Sequence, residues 1–559
     1  MDSVAQNHIE RLRNQTIDKF TLDKIPQWLQ RHTKVNGNPF SFQGHEYQRR
    51  ILEDTSQEVV VIKSSQMGIT EISIRLALAL CAVVPHYTVI YTLPTAGFAM
   101  NVMNTRVDPV IRDSDFLREL LDKNTDNSEI KQLGSSFLYL KGAASGNAPI
   151  SIPAHHLIHD ELDFCDLGII EQYQSRLTHS PYKRKHKFST PTLPNFGIHA
   201  EFMQSRRHFE FLKCSHCGHR FIPDYYEHVK VPEWDKPLDE ITRRNLHTTR
   251  WKEARLLCPH CGKVPDQDLR FREWVLENTE DNYVAAGYNL SPFSAPAFIT
   301  PSALIQASTN YPRKAQFVNF ALGKPMEDSE TTLTKGVLEG AIVARQEVSP
   351  VACVMGIDVG LTCTVTVVGI MQDNLHVILH TEEVHYSQIK TRHLELKRKY
   401  RIRMSVIDML PYTETVLDMQ GRDPNLYAAV YVDKKSLELQ SVASRQEDKE
   451  EGLQGLRQVN VNRNKAFDVL MEDIKSGNIV KFSDANDQTW VNHLMDMKRV
   501  HKLNRNDEVE YVWVKSQKGE DHFHHSLAYA EVAARMVDMS YSPIILPSYV
   551  GTFKYRPKG

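Results

Sequence analysis

The sequence predicts an α/β multidomain chain, on three observations. A strand–loop–helix opening begins near residue 58 and a fresh apolar strand opens a second domain near residue 352, a polar stretch separates them, and a cysteine-rich segment interrupts the first domain. At 559 residues the chain is too long for one core, and roughly 100–200 residues per domain implies two to four domains. With 41% hydrophobic and 24% charged residues it is not a disordered, collagenous or coiled-coil chain. The longest apolar run, Leu76–Val84, falls far short of the ~20 residues that cross a bilayer, and the charged start lacks a signal-peptide core. No membrane partner is expected. The 67 Lys+Arg against 69 Asp+Glu exclude a uniformly basic surface, though local patches can still bind nucleic acid.

Residues 1–40 read as an N-terminal helical segment that ends in a turn at Asn36–Pro39. The first domain is expected over 41–325. Within it, VVVIK, the loop SSQMG, an amphipathic helix and the strand TVIYTL follow in β–loop–α–β order, the opening of a parallel doubly wound sheet. Further strands are expected at Ser136–Leu140 and His155–Ile158. A charged insertion spans 205–275, residues 326–350 read as a linker, and a second α/β domain fills 351–540. Residues 541–559 form a tail.

The loop Lys63-Ser64-Ser-Gln-Met-Gly68-Ile-Thr70 sits between strand and helix, where free N–H groups, the helix N-terminus and a cation can converge on a polyphosphate. It matches the P-loop spacing in part: Gly68 and Thr70 are in place, and Lys63 occupies the first glycine position. Lys63 is expected on the β/γ-phosphates and Thr70 on Mg²⁺. The strand His156–Asp160 ends in Asp160-Glu161, so Asp160 would hold Mg²⁺ and Glu161 would orient and deprotonate water. Ser189-Thr190-Pro191 is similar to the coupling motif of helicase-like ATPases. Upstream, Phe42…Tyr47-Gln48 is similar to their adenine-binding glutamine motif, with Gln48 reading the base edge and Tyr47 or Phe42 stacking on it. Together these predict a P-loop NTPase domain of the RecA/ASCE-like kind that binds ATP.

Cys214-Ser-His-Cys217-Gly and Cys258-Pro-His-Cys261-Gly are two near-identical knuckles. Four thiolates complete a tetrahedral Zn²⁺ site with no open position, which makes the role structural. Cys81, Cys165, Cys353 and Cys363 lie in apolar stretches and read as core.

In the second domain Gly-Ile-Asp358-Val-Gly puts a carboxylate on an apolar strand, Asp408 ends another, and Asp521 precedes the helix SLAYAEVAARM. This is how an RNase H-like α/β nuclease domain is laid out. Three such carboxylates could hold two divalent ions, Mg²⁺ or Mn²⁺, for phosphodiester hydrolysis. His524 or His525 could add a ligand, and Glu520 and Asp433 are alternatives. Two basic runs, 183–220 and 390–403, suit sequence-independent contact with a phosphate backbone.

In this order the parts resemble the large terminase subunit of tailed bacteriophages, in particular the lambda-like branch with a zinc-knuckle insertion. The resemblance covers about residues 40–540. It implies a viral DNA-packaging motor that drives double-stranded DNA into a procapsid by ATP hydrolysis, together with an endonuclease that cuts concatemeric DNA. It further implies a homo-oligomeric ring, taken as pentameric, on the portal protein, a small terminase subunit as partner, and the host cytoplasm as the place of work. Carried over by position, Lys63, Ser64, Gly68, Thr70 and Asp160 hold nucleotide and Mg²⁺, and Glu161 drives hydrolysis. Asp358, Asp408 and Asp521 hold the nuclease metals. Relatives often carry an arginine inside the phosphate loop where this chain has Ser65 and Gln66, so the transition-state arginine would come from elsewhere, with Arg106 as candidate. A helicase–nuclease of DNA repair and a catalytically silent portal-bound subunit are the alternatives. The first would need a second RecA-like domain that the sequence lacks.

Overall fold

The computed structural model describes residues 24–143, 152–277, 283–311, 313–327, 332–432, 439–442, 456–503, 509–516 and 519–537. Asp433, the tail 541–559 and residues 1–23 of the N-terminal segment lie outside the described residues. The chain divides near residue 328 into two compact units.

The first unit is built on one sheet. Its strands are β1 Glu58–Lys63, β2 Thr88–Leu93, β3 Ile130–Leu133, β4 Ser136–Gly142, β5 His156–Asp160, β6 Arg184–Ser189, β7 Arg206–Lys213, β8 Arg220–Phe221, β9 Arg272–Leu276 and β10 Ala285–Leu290. They lie in the order β8–β7–β10–β1–β6–β5–β2–β4–β3, with β9 also paired to β7. The ladders from β7 through to β4 are parallel, and β3, β8 and β9 add antiparallel edges. β1 is buried at every position, as its unbroken apolar run requires of a central parallel strand. Gly68 adopts a left-handed φ of 68° and opens helix α2, Ile69–Val83, whose apolar residues pack into the main core. Helix α1, Glu46–Leu52, buries Tyr47 and Gln48. β6 is polar in sequence yet buried, because Lys187 pairs with Glu58 and Glu201, at 2.8 and 2.9 Å. The insertion begins and ends inside this sheet, since β7 and β9 are its first and last strands. Between them lie short turns and the two-stranded ladder Val229–Lys230 with Arg255–Leu256.

The second unit carries β11 Ile342–Val343, β12 Ala352–Asp358, β13 Thr362–Ile370, β14 His376–His385, β15 Ile402–Asp408, β16 Leu426–Tyr431, β17 Gln440–Val442, β18 Gln458–Val461 and β19 Ile479–Phe482. Their order is β11–β19–β14–β13–β12–β15–β16–β18–β17. The first three long strands, β12 to β14, form an antiparallel meander; β15 and β16 then add in parallel beside β12. The stretch expected as a linker holds helix α4, Lys335–Ala341, and the edge strand β11. Leu338 and Ala341 bury against the second core, which draws this segment onto the sheet. Helix α5, His522–Met536, crosses the sheet with eleven of its residues buried.

Candidate functional site

Three sites emerge, two of them in the first unit. The phosphate loop leaves β1 at Lys63, and its first two N–H groups are held from behind: Ser64 N donates to Leu290 O at 3.1 Å and Ser65 N to Phe320 O at 2.7 Å. From the other side Tyr47 Oη and Gln48 Nε2 both donate to Met67 O, at 2.9 and 3.0 Å. The Gln48 amide lies so close to Gly68 that a Cβ there would meet Nε2 at 2.6 Å. Gln48, expected on a base edge, is buried and holds the loop in this structure. The first-turn N–H groups of α2 have no partner within the helix, as at any helix start.

Lys63, Thr70, Asp160, Glu161, Ser189 and Thr190 are brought together at the ends of β1, β5 and β6. Thr70 Oγ1 donates to Asp160 Oδ2 at 2.8 Å, and Lys63 Nζ pairs with Glu161 Oε1 at 2.8 Å. Glu161 takes a left-handed φ of 53°, a strained turn for a non-glycine residue. Its Oε2 accepts from Ser189 Oγ and Thr190 N, each at 3.4 Å. Burial pushes the Asp160 carboxyl up, and the Glu161 charge adds to this against Lys63 and the Thr70 and Tyr91 hydrogen bonds. Asp160 Oδ1 is buried with no hydrogen-bond partner, as is Ser64 Oγ. An orphaned carboxylate oxygen beside a threonine hydroxyl fits a hard divalent ion such as Mg²⁺.

Sequence reasoning missed two residues here. Tyr91 donates to Asp160 Oδ2 at 2.8 Å from the neighbouring strand. Asp163, fully buried, accepts from Thr192 N at 2.8 Å, Thr192 Oγ1 at 2.7 Å and Ile198 N at 2.7 Å. It ties the turn after Glu161 to the segment after Ser189-Thr190 and to helix α3, Gly197–Met203. The DELD tetrad at 160–163 offered a signal only in that a further acid follows the pair. Arg106 is half-exposed and pairs with Glu71 in the first turn of α2 at 3.2 Å.

The four cysteines form the second site. Their sulfurs all lie within 4.8 Å of one another, and the Cys214–Cys261 and Cys217–Cys258 pairs are each at 3.7 Å. Zn–S bonds of about 2.3 Å in a tetrahedron place sulfurs about 3.8 Å apart, so the donor set fits Zn²⁺. Both knuckles turn alike: Gly218 N donates to Cys214 O and Gly262 N to Cys258 O, each at 2.9 Å, with φ of 75° and 69° at the two glycines. Neither His216 nor His260 joins this group.

The third site is in the second unit. Ile357 faces Ile407 in the parallel β12–β15 ladder, which sets Asp358 and Asp408 at adjacent strand ends. Asp521 stands at the start of α5. Burial, then the Asp358 charge, holds the Asp408 carboxyl up at about 6 against the Leu410 hydrogen bond. A cation bound beside Asp408 would favour its charged form against that burial. Among the described residues the three aspartates do not form a preassembled ligand cluster as the cysteines do. Instead His522 Nδ1 is 2.8 Å from Asp358 Oδ2, and His525 Nε2 is 3.2 Å from Asp521 Oδ2 while its Nδ1 meets Tyr431 Oη at 2.9 Å. His524 turns into the core against Phe467, and Glu520 points outward to His493 at 3.2 Å. His522 was missed, since nothing in the local pattern separates it from its neighbours.

The basic runs are more neutralised than their composition suggests. In 183–220, Lys185, Lys187, Arg207 and Arg220 pair with Glu58, Glu201, Glu277 and Glu273. In 390–403, Lys390, Arg392 and Lys397 pair with acids, while Arg398, Lys399 and Arg401 are exposed.

Residues 35–277 match the family model described as phage terminase large subunit gpA, ATPase domain. No curated protein matches the chain. Among solved structures the chain is similar to the large terminase of bacteriophage HK97, at 12% identity and a TM-score of 0.48 over 92% of this chain and 99% of that one. It is similar to the large terminase of a thermophilic bacteriophage in complex with ADP, at 10% identity and a TM-score of 0.31 over 88% and 98%. The large terminase nuclease of thermophilic phage G20c matches at 15% identity and a TM-score of 0.23 over 35% and 95%. Among the described residues no helix is long and apolar enough to cross a membrane.

Proposed function

We propose that this chain, a phage terminase large subunit by the family of its residues 35–277, is a DNA-packaging motor and nuclease. It hydrolyses ATP to translocate double-stranded DNA into a procapsid and cuts that DNA with its second unit, an RNase H-like nuclease. The observation that carries the reading is the convergence of Lys63, Thr70, Asp160, Glu161 and Ser189 at the ends of three neighbouring parallel strands.

The residues suggest how hydrolysis is gated. Lys63 neutralises Glu161 across 2.8 Å. A triphosphate on the loop competes for that ammonium, which releases Glu161 to accept a proton from water. Thr70 Oγ1 and Asp160 would hold Mg²⁺, which would supply charge neutralisation on the phosphates. Ser189 and Thr190 share the Glu161 carboxylate and so register whether it is engaged. Arg106 is proposed to serve a neighbouring subunit of a ring, taken as pentameric, docked on the portal with a small terminase subunit. In the second unit Asp358, Asp408 and Asp521 would hold Mg²⁺ or Mn²⁺, which would activate water and stabilise the leaving 3′-oxygen. His522 and His525 would have to yield those carboxylates.

The test is a pair of assays on the purified chain: DNA-dependent ATP hydrolysis and metal-dependent plasmid cleavage. Glu161→Gln should lower hydrolysis by at least ~10²-fold with ATP binding kept, and Asp358→Asn should abolish cleavage with hydrolysis kept. A wild-type chain inactive in one assay, or undiminished activity in the matching variant, removes the corresponding half of the reading.

A further inference from the structure

Among the described residues of the second unit, only two large hydrophobic side chains are exposed, Leu361 at 70% and Leu410 at 58%. A lone exposed leucine is ordinary on a protein surface. Here, however, both border a nuclease aspartate: Leu361 comes three residues after Asp358 and Leu410 two after Asp408.

The strands bring the two leucines to one edge. Asp358 ends β12 and Asp408 ends β15, parallel neighbours in which Ile357 faces Ile407. Asp358 pairs with Thr364 across the β12–β13 hairpin, so Leu361 stands at the tip of its turn. Leu410 leaves β15 at the same end, and its N–H donates to Asp408 Oδ1 at 3.2 Å, which ties its position to the carboxylate.

The two turns are also joined to each other. Leu361 O accepts from Tyr386 N at 3.0 Å. The Tyr386 ring stacks on Tyr412, just beyond Leu410, with centroids 4.0 Å apart, and its hydroxyl meets Thr415 Oγ1. A platform joined in this way keeps exposed apolar groups in place.

What the leucines face follows from the site they border. At no more than about 3.6 Å of chain per residue, Leu410 Cα is within about 7 Å of Asp408 Cα, and Leu361 Cα within about 11 Å of Asp358 Cα. Nucleotides succeed one another at ~3.4 Å along a strand of duplex, so a phosphodiester on the aspartates has its neighbouring base steps within leucine reach. Phosphates are contacted by charged and polar groups, whereas apolar side chains such as leucine act as wedges between base steps.

We infer that Leu361 and Leu410 enter the base stack of double-stranded DNA beside the scissile phosphate, and that opening the stack brings this phosphate onto Asp358 and Asp408. The inference rests on the nuclease reading and adds a requirement to it, that the duplex be unstacked at the cut.

Metal-dependent cleavage by the full chain, Leu361→Ala, Leu410→Ala and the double variant tests it. The substrates are an intact duplex and the same duplex with a mismatched bubble. On the intact duplex the double variant should be at least about tenfold slower than wild type. On the bubble, whose stack is already open, it should stay within about twofold of wild type. Unchanged cleavage of the intact duplex overturns the inference. An equal loss on both substrates also overturns it, because a structural role would not distinguish them. Wild-type cleavage together with a change from dimer to monomer in light scattering gives the leucines to a second copy of this chain instead. If the wild-type chain cuts no DNA, the nuclease reading fails by itself. A duplex labelled with 2-aminopurine, which brightens when its stack opens, then decides the wedge. A rise on binding that the double variant lacks supports it; no rise, or one the double variant keeps, overturns it.

Discussion

At the scale of single residues, Asp163 shows how much of the proposed hydrolytic site is held from beneath. A fully buried carboxylate accepting three hydrogen bonds at 2.7–2.8 Å satisfies two backbone N–H groups and one hydroxyl that have no access to water. Asp163→Ala orphans all three, and each buried unmade bond costs about 1–3 kcal/mol. The variant should lose at least ~3 kcal/mol of unfolding free energy in the first unit, read as a lower midpoint in urea; an unshifted midpoint would show that the network carries no stability. Its ATPase activity should fall as well, because Ser189 and Thr190 would no longer be fixed against Glu161. Lys63, Thr70, Asp160 and Glu161 were legible in the sequence because each ends or begins a local pattern: an apolar strand, a helix start, an acidic pair. Asp163, Tyr91 and His522 were not, because their partners arrive from 29, 69 and 164 residues away. No window of sequence contains both ends of such a contact.

At the scale of elements, helix α5 decides whether Asp521 reaches the two strand aspartates. Thr364 Oγ1 donates to His522 O at 2.9 Å, Thr366 Oγ1 and Ser526 Oγ are 2.8 Å apart, and Glu531 meets His376 at 2.8 Å further along. These contacts fix the helix along its length against β13 and β14. Its closeness to the sheet depends on Gly356 in β12, where a Cβ would stand 1.9 Å from Ser526 O and 2.3 Å from Ala530 N. Both are backbone atoms, so no side-chain rotation can make room. Gly356→Ala should push α5 off the strand at a cost of about 1–3 kcal/mol and lower plasmid cleavage by ~10²-fold. ATP hydrolysis, housed in the other unit, should be kept; wild-type cleavage by this variant would show that the helix does not set the aspartate geometry. The sequence displayed most of these elements. The strand–loop–helix over 58–83 and the strands ending at Asp160, Asp358 and Asp408 fall where apolar runs and turn residues put them. β10 was hidden, since it enters the middle of the sheet beside β1 only after the whole insertion has been traversed. Helix α4 was read as linker because seven residues with two glycines give too short a pattern to distinguish from a polar turn.

At the scale of the whole molecule, the insertion is more than an appended module, because its core is shared with the backing of the phosphate loop. Cys214 and Cys258 are buried in one apolar cluster with Leu212, Phe293, Phe317 and Leu322. The same segment supplies Phe320 O, which holds Ser65 N at 2.7 Å, and Gly323, whose Cα approaches Ser64 so closely that a Cβ would lie 2.6 Å from its nitrogen. The stretch between the two knuckles packs Tyr225, Val229, Leu238 and Leu256 into the same cluster, and a metal held by the four thiolates would close this loop and fix both ends of it. Zinc analysis should find about one ion per chain. Structural Zn²⁺ contributes binding energy directly to folding. Stripping it with a strong chelator should therefore lower the melting temperature of the first unit by several degrees, since about 1 kcal/mol moves a domain of this size by roughly 2–4 °C. The metal-free chain should also hydrolyse ATP more slowly, through the loosened Phe320 and Gly323 contacts behind the loop. The second unit contains none of these residues, so its melting transition and its plasmid cleavage, assayed after readdition of Mg²⁺ alone, should be unaffected. A metal-free chain with an unshifted first transition and full ATPase activity would show that the four thiols are ordinary core residues, and that the phosphate loop is held without them.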